Sequence, residues 1–220
     1  LIRAIAKTGK PIILSTGMAS QTEIREAWAT AVSAGANDIT MLRCTSAYPA
    51  GAEHANLRTM QHMARDLSVR PGLSDHTPGI GVALAAAALG ARMIEKHLKL
   101  EVGGGLDEAF SCTPDTLRAL CQAVNDAAAA PGELLYGPTV GEAPQLKLRR
   151  SLYLAKRVAP GEKLTLWHFR TARPALGLAP RFLGRLLNRA ALISAPAGAP
   201  VTWGLIEPAD AVQEATPSRL

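Results

Sequence analysis

Two short runs, Gly72-Leu-Ser-Asp-His-Thr-Pro-Gly79 and Met93-Ile-Glu-Lys-His-Leu98, set ionisable and hydroxyl side chains at alternating positions. Successive side chains of an extended chain point to opposite faces, so Ser74 shares a face with His76, and Glu95 with His97. If the runs are adjacent strands, two imidazoles meet at one point with a carboxylate and a hydroxyl beside them. Paired histidines suit a divalent metal or general acid–base chemistry. The spacing alone is equally compatible with two unrelated core or surface histidines. Asp75 and Lys96 have the opposite parity and are read as structural residues that pair with outer-layer groups.

The elements that must position these residues repeat a strand–helix unit through the first ~130 residues. Pro11–Thr16 reads as a buried strand. Ser20 caps a helix from Gln21 to about Ala34, and Glu23 stands at the capping-box spacing. Asp38–Cys44, Arg70–Asp75 and Arg92–Leu98 are the next strands, followed by helices over Asn56–Asp66, Ile80–Leu89 and Pro114–Ala129. Apolar strands alternating with helices imply a parallel sheet covered on its faces. Each strand ends in polar groups: Ser15-Thr16, Cys44-Thr-Ser46-x-Tyr48, Ser74-Asp-His76 and Glu95-Lys-His97. A (β/α)₈ barrel places its active site at these C-terminal strand ends. Only four such units are present, and the chain starts within a helical pattern without Met. The expectation is therefore the C-terminal half of a TIM barrel, its N-terminal half absent. An open four-stranded sheet would leave apolar edges exposed.

Residues 131–148 are rich in Gly, Pro and polar residues and read as a linker. Residues 149–213 change character: strands shorten and turns multiply, as in a small, mostly β domain. A faint repeat joins Pro160-Gly-Glu-Lys-Leu-Thr165 with Trp167 to Ala197-Gly-Ala-Pro-Val-Thr202 with Trp203.

Composition limits the function classes. The chain has 220 residues, 48% of them hydrophobic and 19% charged, which is ordinary for a packed globular protein. No run approaches the ~20 apolar residues of a membrane span. Leu1–Lys7 reads as the end of an amphipathic helix, not a signal peptide. Three cysteines form neither a disulfide framework nor a zinc cluster, and reduced thiols point to the cytoplasm. Eleven Lys and Arg against two Glu lie between Gly141 and Ala190. They are scattered through patterned apolar sequence and form no basic tail. That favours a face for an anionic small molecule or a partner subunit over nucleic acid.

These motifs, taken in order, resemble the sialic acid synthase family, which joins a (β/α)₈ barrel to an antifreeze-like (SAF) domain. The resemblance rests on Lys10-Pro-Ile-Ile-Leu-Ser-Thr-Gly-Met18, Cys44-Thr-Ser-Ala-Tyr-Pro49, Gly72-Leu-Ser-Asp-His-Thr77, Ile94-Glu-Lys-His97 and Arg173-Pro with Gly177. Within the family, several segments are most similar to the pseudaminic acid synthases: Cys44–Ala50, Ala55–Thr59, Gly104-Gly-x-Asp107 with Ala109-Phe-Ser111, and Arg149–Tyr153. Three positions depart from the common pattern: Leu106 replaces a proline, Leu98-Lys99 replaces Phe-Thr, and Gly51-Ala52 replaces Pro-Tyr.

The resemblance implies a reaction: phosphoenolpyruvate condenses with the aldehyde of an open-chain amino sugar to give a nine-carbon 2-keto acid and phosphate. The favoured sugar is 2,4-diacetamido-2,4,6-trideoxy-L-altrose, with the N-acetylneuraminate or legionaminic acid synthase reaction as the alternative. A catalytically inactive carbohydrate-binding or interaction protein is the alternative of another class. A divalent metal (Mn²⁺, Mg²⁺ or Co²⁺) is implied, with His76 and His97 as its ligands and Glu95 beside it to orient water or move a proton. Ser15, Ser46 and Ser74 match positions that hold phosphoenolpyruvate. Tyr48 and Asp107 match sugar contacts, and Gly103–Gly105 would let the Asp107 loop approach closely. Arg173 matches a residue that reaches the active site of the other subunit in a domain-swapped homodimer. No nucleic acid or membrane partner is implied, and a chain lacking half its barrel is expected to be inactive alone.

Overall fold

The computed structural model describes residues 1–100 and 105–208, in two units, Leu1–Glu133 and from Leu134 onward. The first unit follows the expected alternation: α1 (Ile2–Ala6), β1 (Ile12–Ser15), α2 (Gln21–Ser33), β2 (Ile39–Cys44), α3 (Arg58–Leu67), β3 (Arg70–Asp75), α4 (Gly81–Ala88), β4 (Met93–Lys96) and α5 (Pro114–Ala129). The strands form one parallel sheet in sequence order, β1-β2-β3-β4, curled as half a barrel.

Register assigns every strand residue to a face. Ile12 pairs with Ile39 and Leu14 with Met41, and these four pack with Ala6, Ala31, Leu67 and the partly buried Ile24 and Trp28 against the helices. Leu73 and Ile94 do the same with Met60 and Ala86. The alternate residues form the other, concave face. Ser15 pairs with Leu42, Leu42 with Gly72, Cys44 with Ser74, and Ser74 with Glu95. Ile13 lies on that face and is 51% exposed, since nothing in this unit fills the concavity. The sheet thus buries one side by hydrophobic packing and carries its chemistry-bearing residues on the other, where Ile13 and Ser15 are exposed while Thr40, Leu42 and Ser74 are buried.

Local signals account for the boundaries. The Ser20–Glu23 capping box starts α2, and Thr113 caps α5 with Pro114 at its first position. Ser68 ends α3 in the left-handed conformation. The fourth strand is shorter than the apolar run Arg92–Leu98 predicts. It ends at Lys96, and the chain beyond pairs with the returning segment at Leu98 and Cys112. Gly103 and Gly104 lie outside the described residues, so the expected close approach of that loop concerns positions about which the fold says nothing.

The segment read as a linker carries a 3₁₀ run, Val140–Leu148, opened by a Thr139–Glu142 capping box, and none of that run is buried. The second unit continues with β5 (Ser151–Leu154), β6 (Phe169–Ala172) and the one-turn α6 (Leu183–Leu186). β5 and β6 pair antiparallel over a core of Leu152, Leu154, Val158, Leu164, Leu186, Ala191, Val201 and Leu205. Residues 209–213 of the expected domain lie outside the described set.

The repeat is real at the backbone level. Val158 and Ala195 exchange hydrogen bonds with each other. Gly161 N donates to Ala191 O as Gly198 N donates to Leu154 O, and Leu164 N to Arg189 O as Val201 N to Leu152 O. The two tryptophans are not equivalent, however. Thr165 and Thr202 each open a 3₁₀ turn, but the residue after Thr165 is Leu166 and the residue after Thr202 is Trp203. Trp203 packs on the core, whereas Trp167 is 83% exposed.

Candidate functional site

At the C-terminal ends of β3 and β4 the sheet register turns sequence spacing into contact. Ser74 and Glu95 are cross-strand neighbours, and the Ser74 hydroxyl donates to Glu95 Oε1 at 2.6 Å. The His76 and His97 rings lie one step further on the same face, with centroids 5.1 Å apart and planes inclined at 67°. Four of the expected residues are therefore brought together on the concave face.

The hydrogen bonds decide what the rings can do. His76 Nδ1 is 2.9 Å from Thr45 O, and a carbonyl only accepts, so Nδ1 carries the hydrogen. In the neutral ring this leaves the Nε2 lone pair free. His97 Nδ1 lies 3.5 Å from Asp107 Oδ2, a carboxylate that favours the same tautomer. Both imidazoles are thus set to offer Nε2. Two neutral nitrogen donors would suit a Mn²⁺-like cation and select no single metal. Among the described residues no group of three or more His, Cys, Asp and Glu is arranged to hold a metal.

Tyr48 lies over His76 with centroids 4.4 Å apart and is 56% exposed, a ring stacked on the site with its other side free. Ser46 Oγ is 3.9 Å from Cys44 Sγ. A Cβ at Gly17 would meet the side chains of Ser46 and Cys44, so the turn after β1 lies close against the turn after β2. Ser15, the last residue of β1, is exposed on the concave face one strand over. Ser74 is buried with its hydroxyl hydrogen committed to Glu95, so it orients that carboxylate and leaves only lone pairs for another group. Asp107 stands beside His97. Arg173, just past β6, is exposed in the second unit. Gly177 of the same motif has a packing reason: a Cβ there would overlap Leu152 O and meet Val201 N at 2.9 Å.

The Asp75 and Lys96 expectation is corrected. They do not pair with separate outer-layer groups; they pair with each other at 2.8 Å on the helix-facing side, with side chains 1% and 2% exposed. The cause is register: Asp75 is opposite Lys96 on the adjacent strand.

Phe110 is the site residue that residue-by-residue reading missed. It is buried, 4.8 Å from the His97 ring and 5.1 Å from Tyr48 by centroids, and closes a ring of four aromatic groups with His76. Backbone bonds deliver it there: Cys112 N donates to His97 O at 2.8 Å and Lys99 N to Cys112 O at 2.9 Å. The only sequence signal is an apolar aromatic three residues after Asp107.

Comparison with known proteins identifies the family of each part of the chain. Residues 1–135 match the NeuB family model and residues 149–207 the SAF domain model. The chain is 37% identical over 211 residues to the pseudaminic acid synthase of Helicobacter pylori, covering 94% of this chain and 62% of that protein. It is also 37% identical to the N,N'-diacetyllegionaminic acid synthase of Campylobacter jejuni, covering 86% of this chain and 59% of the relative. The chain thus spans about three fifths of the relatives' length. Among solved structures, the N-acetylneuraminic acid synthetase of Leptospira borgpetersenii superposes with TM-score 0.60 at 31% identity, covering 66% of this chain and 51% of that one. The spore coat polysaccharide biosynthesis protein of Bacillus subtilis does so with TM-score 0.56 at 27% identity, covering 94% and 64%.

Proposed function

The chain belongs to the NeuB family, and from that premise we propose that it is the C-terminal part of a phosphoenolpyruvate-dependent nonulosonate synthase, a carbon–carbon bond-forming transferase whose favoured product is pseudaminic acid. The observation that carries the reading is the concave-face group: Ser74 bonded to Glu95 at 2.6 Å, with the His76 and His97 rings 5.1 Å apart beyond them.

His76 and His97, each set to offer Nε2, would hold a divalent cation (Mn²⁺, Mg²⁺ or Co²⁺), which would supply Lewis-acid polarisation of the sugar aldehyde. The bond forms between the methylene carbon of phosphoenolpyruvate and the aldehyde carbon; water then adds and phosphate leaves. Glu95, aimed by Ser74, orients that water or takes its proton. Ser15 and Ser46 donate to phosphoenolpyruvate oxygens. Tyr48 and Phe110 wall the sugar, whose acetamido methyls suit aromatic faces, and Asp107 holds His97 and meets a sugar hydroxyl. Arg173 reaches a site of the partner subunit in a domain-swapped homodimer. Phosphoenolpyruvate as co-substrate favours a cytoplasmic setting. Completing the concave face takes the other half of a barrel, so the 220-residue chain by itself is expected to be inactive.

A legionaminic acid synthase is the second reading, favoured by the equal 37% identity of that relative. Phosphate release by the intact protein, measured with phosphoenolpyruvate, Mn²⁺ and each candidate sugar in turn, tests both. Highest kcat/KM with the L-altrose sugar supports the first reading, and highest with the legionaminic precursor the second. No release with any of them would defeat the synthase reading.

A further inference from the structure

The buried ion pair behind the histidines does more than fill space. Two cross-strand rungs precede the histidine rung. Ser74–Glu95 is bonded on the concave side and Asp75–Lys96 on the helix side, so both faces of the sheet are tied where the histidines leave it. Asp75 and Lys96 each make a second set of bonds. Asp75 Oδ1 accepts from Thr77 N at 2.9 Å and from Thr77 Oγ1 at 2.7 Å, and Lys96 Nζ donates to Thr77 O at 2.6 Å. His76 is thus straddled by two residues fixed to one another and to the next strand. Its own carbonyl accepts from Ala50 N at 3.0 Å, which ties the turn after β2 to the same point.

The energetics make this arrangement informative. Desolvating both charges costs several kcal/mol per ion, and well-packed apolar residues of similar volume commonly serve stability as well or better. Apolar packing, however, specifies no direction. An ammonium shared between a carboxylate and a carbonyl fixes β3 against β4 and fixes the turn that carries His76. We propose that Asp75, Lys96 and Thr77 are positioning residues of the reaction site, holding His76 in the orientation from which it meets His97. This rests on the histidine pair being the metal site proposed above.

The test uses the intact protein and the double variant D75L/K96M, which removes both charges together and leaves neither unpaired. Urea unfolding, Mn²⁺ binding and the histidine ring ¹⁵N spectrum are measured for wild type and variant. The expected result is a protein that still folds, with stability lowered only because Thr77 N–H and Oγ1–H lose Asp75 and Thr77 O loses Lys96, a loss of Mn²⁺ affinity on the order of tenfold to a hundredfold, and loss of the single Nδ1–H form of His76. A stable variant with wild-type Mn²⁺ affinity and an unchanged His76 spectrum would overturn the proposal. The ring spectrum is read without metal. If wild-type protein binds no Mn²⁺, the metal reading fails, while a His76 tautomer altered by D75L/K96M still supports the positioning role. T77V, which keeps the ion pair and deletes one bond, guards against a double variant that does not fold: the same His76 change at smaller amplitude is expected, and no change counts against the proposal.

Discussion

Both units contain a buried histidine bonded next to a carboxylate-bearing strand or turn, but only one leaves its ring with anything to offer. In the half barrel, His76 spends Nδ1 on Thr45 O and keeps Nε2 free on the concave face. In the SAF unit, His168 spends both nitrogens. Nδ1 accepts from Thr165 N at 2.9 Å, which forces the hydrogen onto Nε2, and that donates to Glu162 Oε1 at 2.8 Å. The pseudo-symmetric position of His168 is Leu205, a plain core residue. Function therefore follows from the unspent atom; residue type and burial are shared by both histidines.

The comparison breaks most visibly at the metal site. His76→Ala or His97→Ala in the intact protein is expected to abolish phosphate release and Mn²⁺ binding; stability should change little for the part-exposed His97 and fall by about 1–3 kcal/mol for the buried His76, which loses its bond to Thr45 O. His168→Ala should leave both activities intact, lowering the SAF unit's stability by about 1–3 kcal/mol, the cost of a lost buried hydrogen-bonding group. Undiminished turnover in either of the first two variants would remove the metal assignment.

Arg173 sharpens the contrast, as the SAF residue proposed to act in chemistry. Arg173→Ala should reduce kcat/KM for the sugar by on the order of 1.5–3 kcal/mol, the worth of a hydrogen bond to a charged group, with phosphoenolpyruvate binding unchanged. Mixing it with His76→Ala protein should restore part of the activity if the domain is swapped, because some heterodimers contain one site with both residues. No recovery after confirmed subunit exchange would count against the swap.

How much of this was legible in the sequence divides along the same line. Alternation along Gly72–Thr77 and Met93–His97 placed Ser74, His76, Glu95 and His97 on one face, because strand geometry admits only two faces. β3 was bounded at Arg70 and Asp75 as observed, although Pro71 and Gly72 lie inside it. The partner of Lys96 was not legible: parity gives the face, and only register gives the neighbour. Phe110 was invisible as a site residue because its place depends on a returning segment pairing with the chain beyond β4. In the SAF unit the Gly-x-x-apolar-Thr repeat was read correctly, yet its tryptophans were equated because they are alike in type. Their surroundings differ by one position after the threonine.

Gly177 offers a purely steric break on the SAF side. Ala at this position would drive a methyl into Leu152 O and against Val201 N, backbone atoms that cannot rotate away. Overpacking of this kind typically costs about 1–3 kcal/mol. Gly177→Ala should lower the SAF unit's unfolding midpoint and leave Mn²⁺ binding at the barrel site unchanged. Loss of metal binding without loss of stability would mean the motif serves the site directly.

The smallest effect concerns acid. The Glu162 carboxyl is held below the usual carboxylate range, first by the hydrogen bond from His168 and then by the one from Ala159 N, with Lys156 adding attraction at 3.8 Å. A carboxyl depressed in the folded state stabilises the fold above its unfolded pKa and loses that contribution as pH falls through its folded value. SAF stability should therefore decline on acidification below about pH 4.3, the ordinary glutamate value. H168L/E162A tests the cause by giving the first half of the pseudo-symmetric pair the residues of the second, Leu205 and Ala199. Removing both partners leaves neither His168 nor Glu162 without the other, and the Thr165 and Ala159 amides that lose their acceptors belong to exposed residues, so stability at neutral pH should change little. What should change is the slope: the SAF unfolding midpoint of the double variant should fall less between pH 5 and pH 3 than that of the wild type. Equal slopes would show that acid sensitivity arises elsewhere. A large loss of neutral stability would mean that the His168–Glu162 pair carries part of the fold that its apolar counterpart cannot replace.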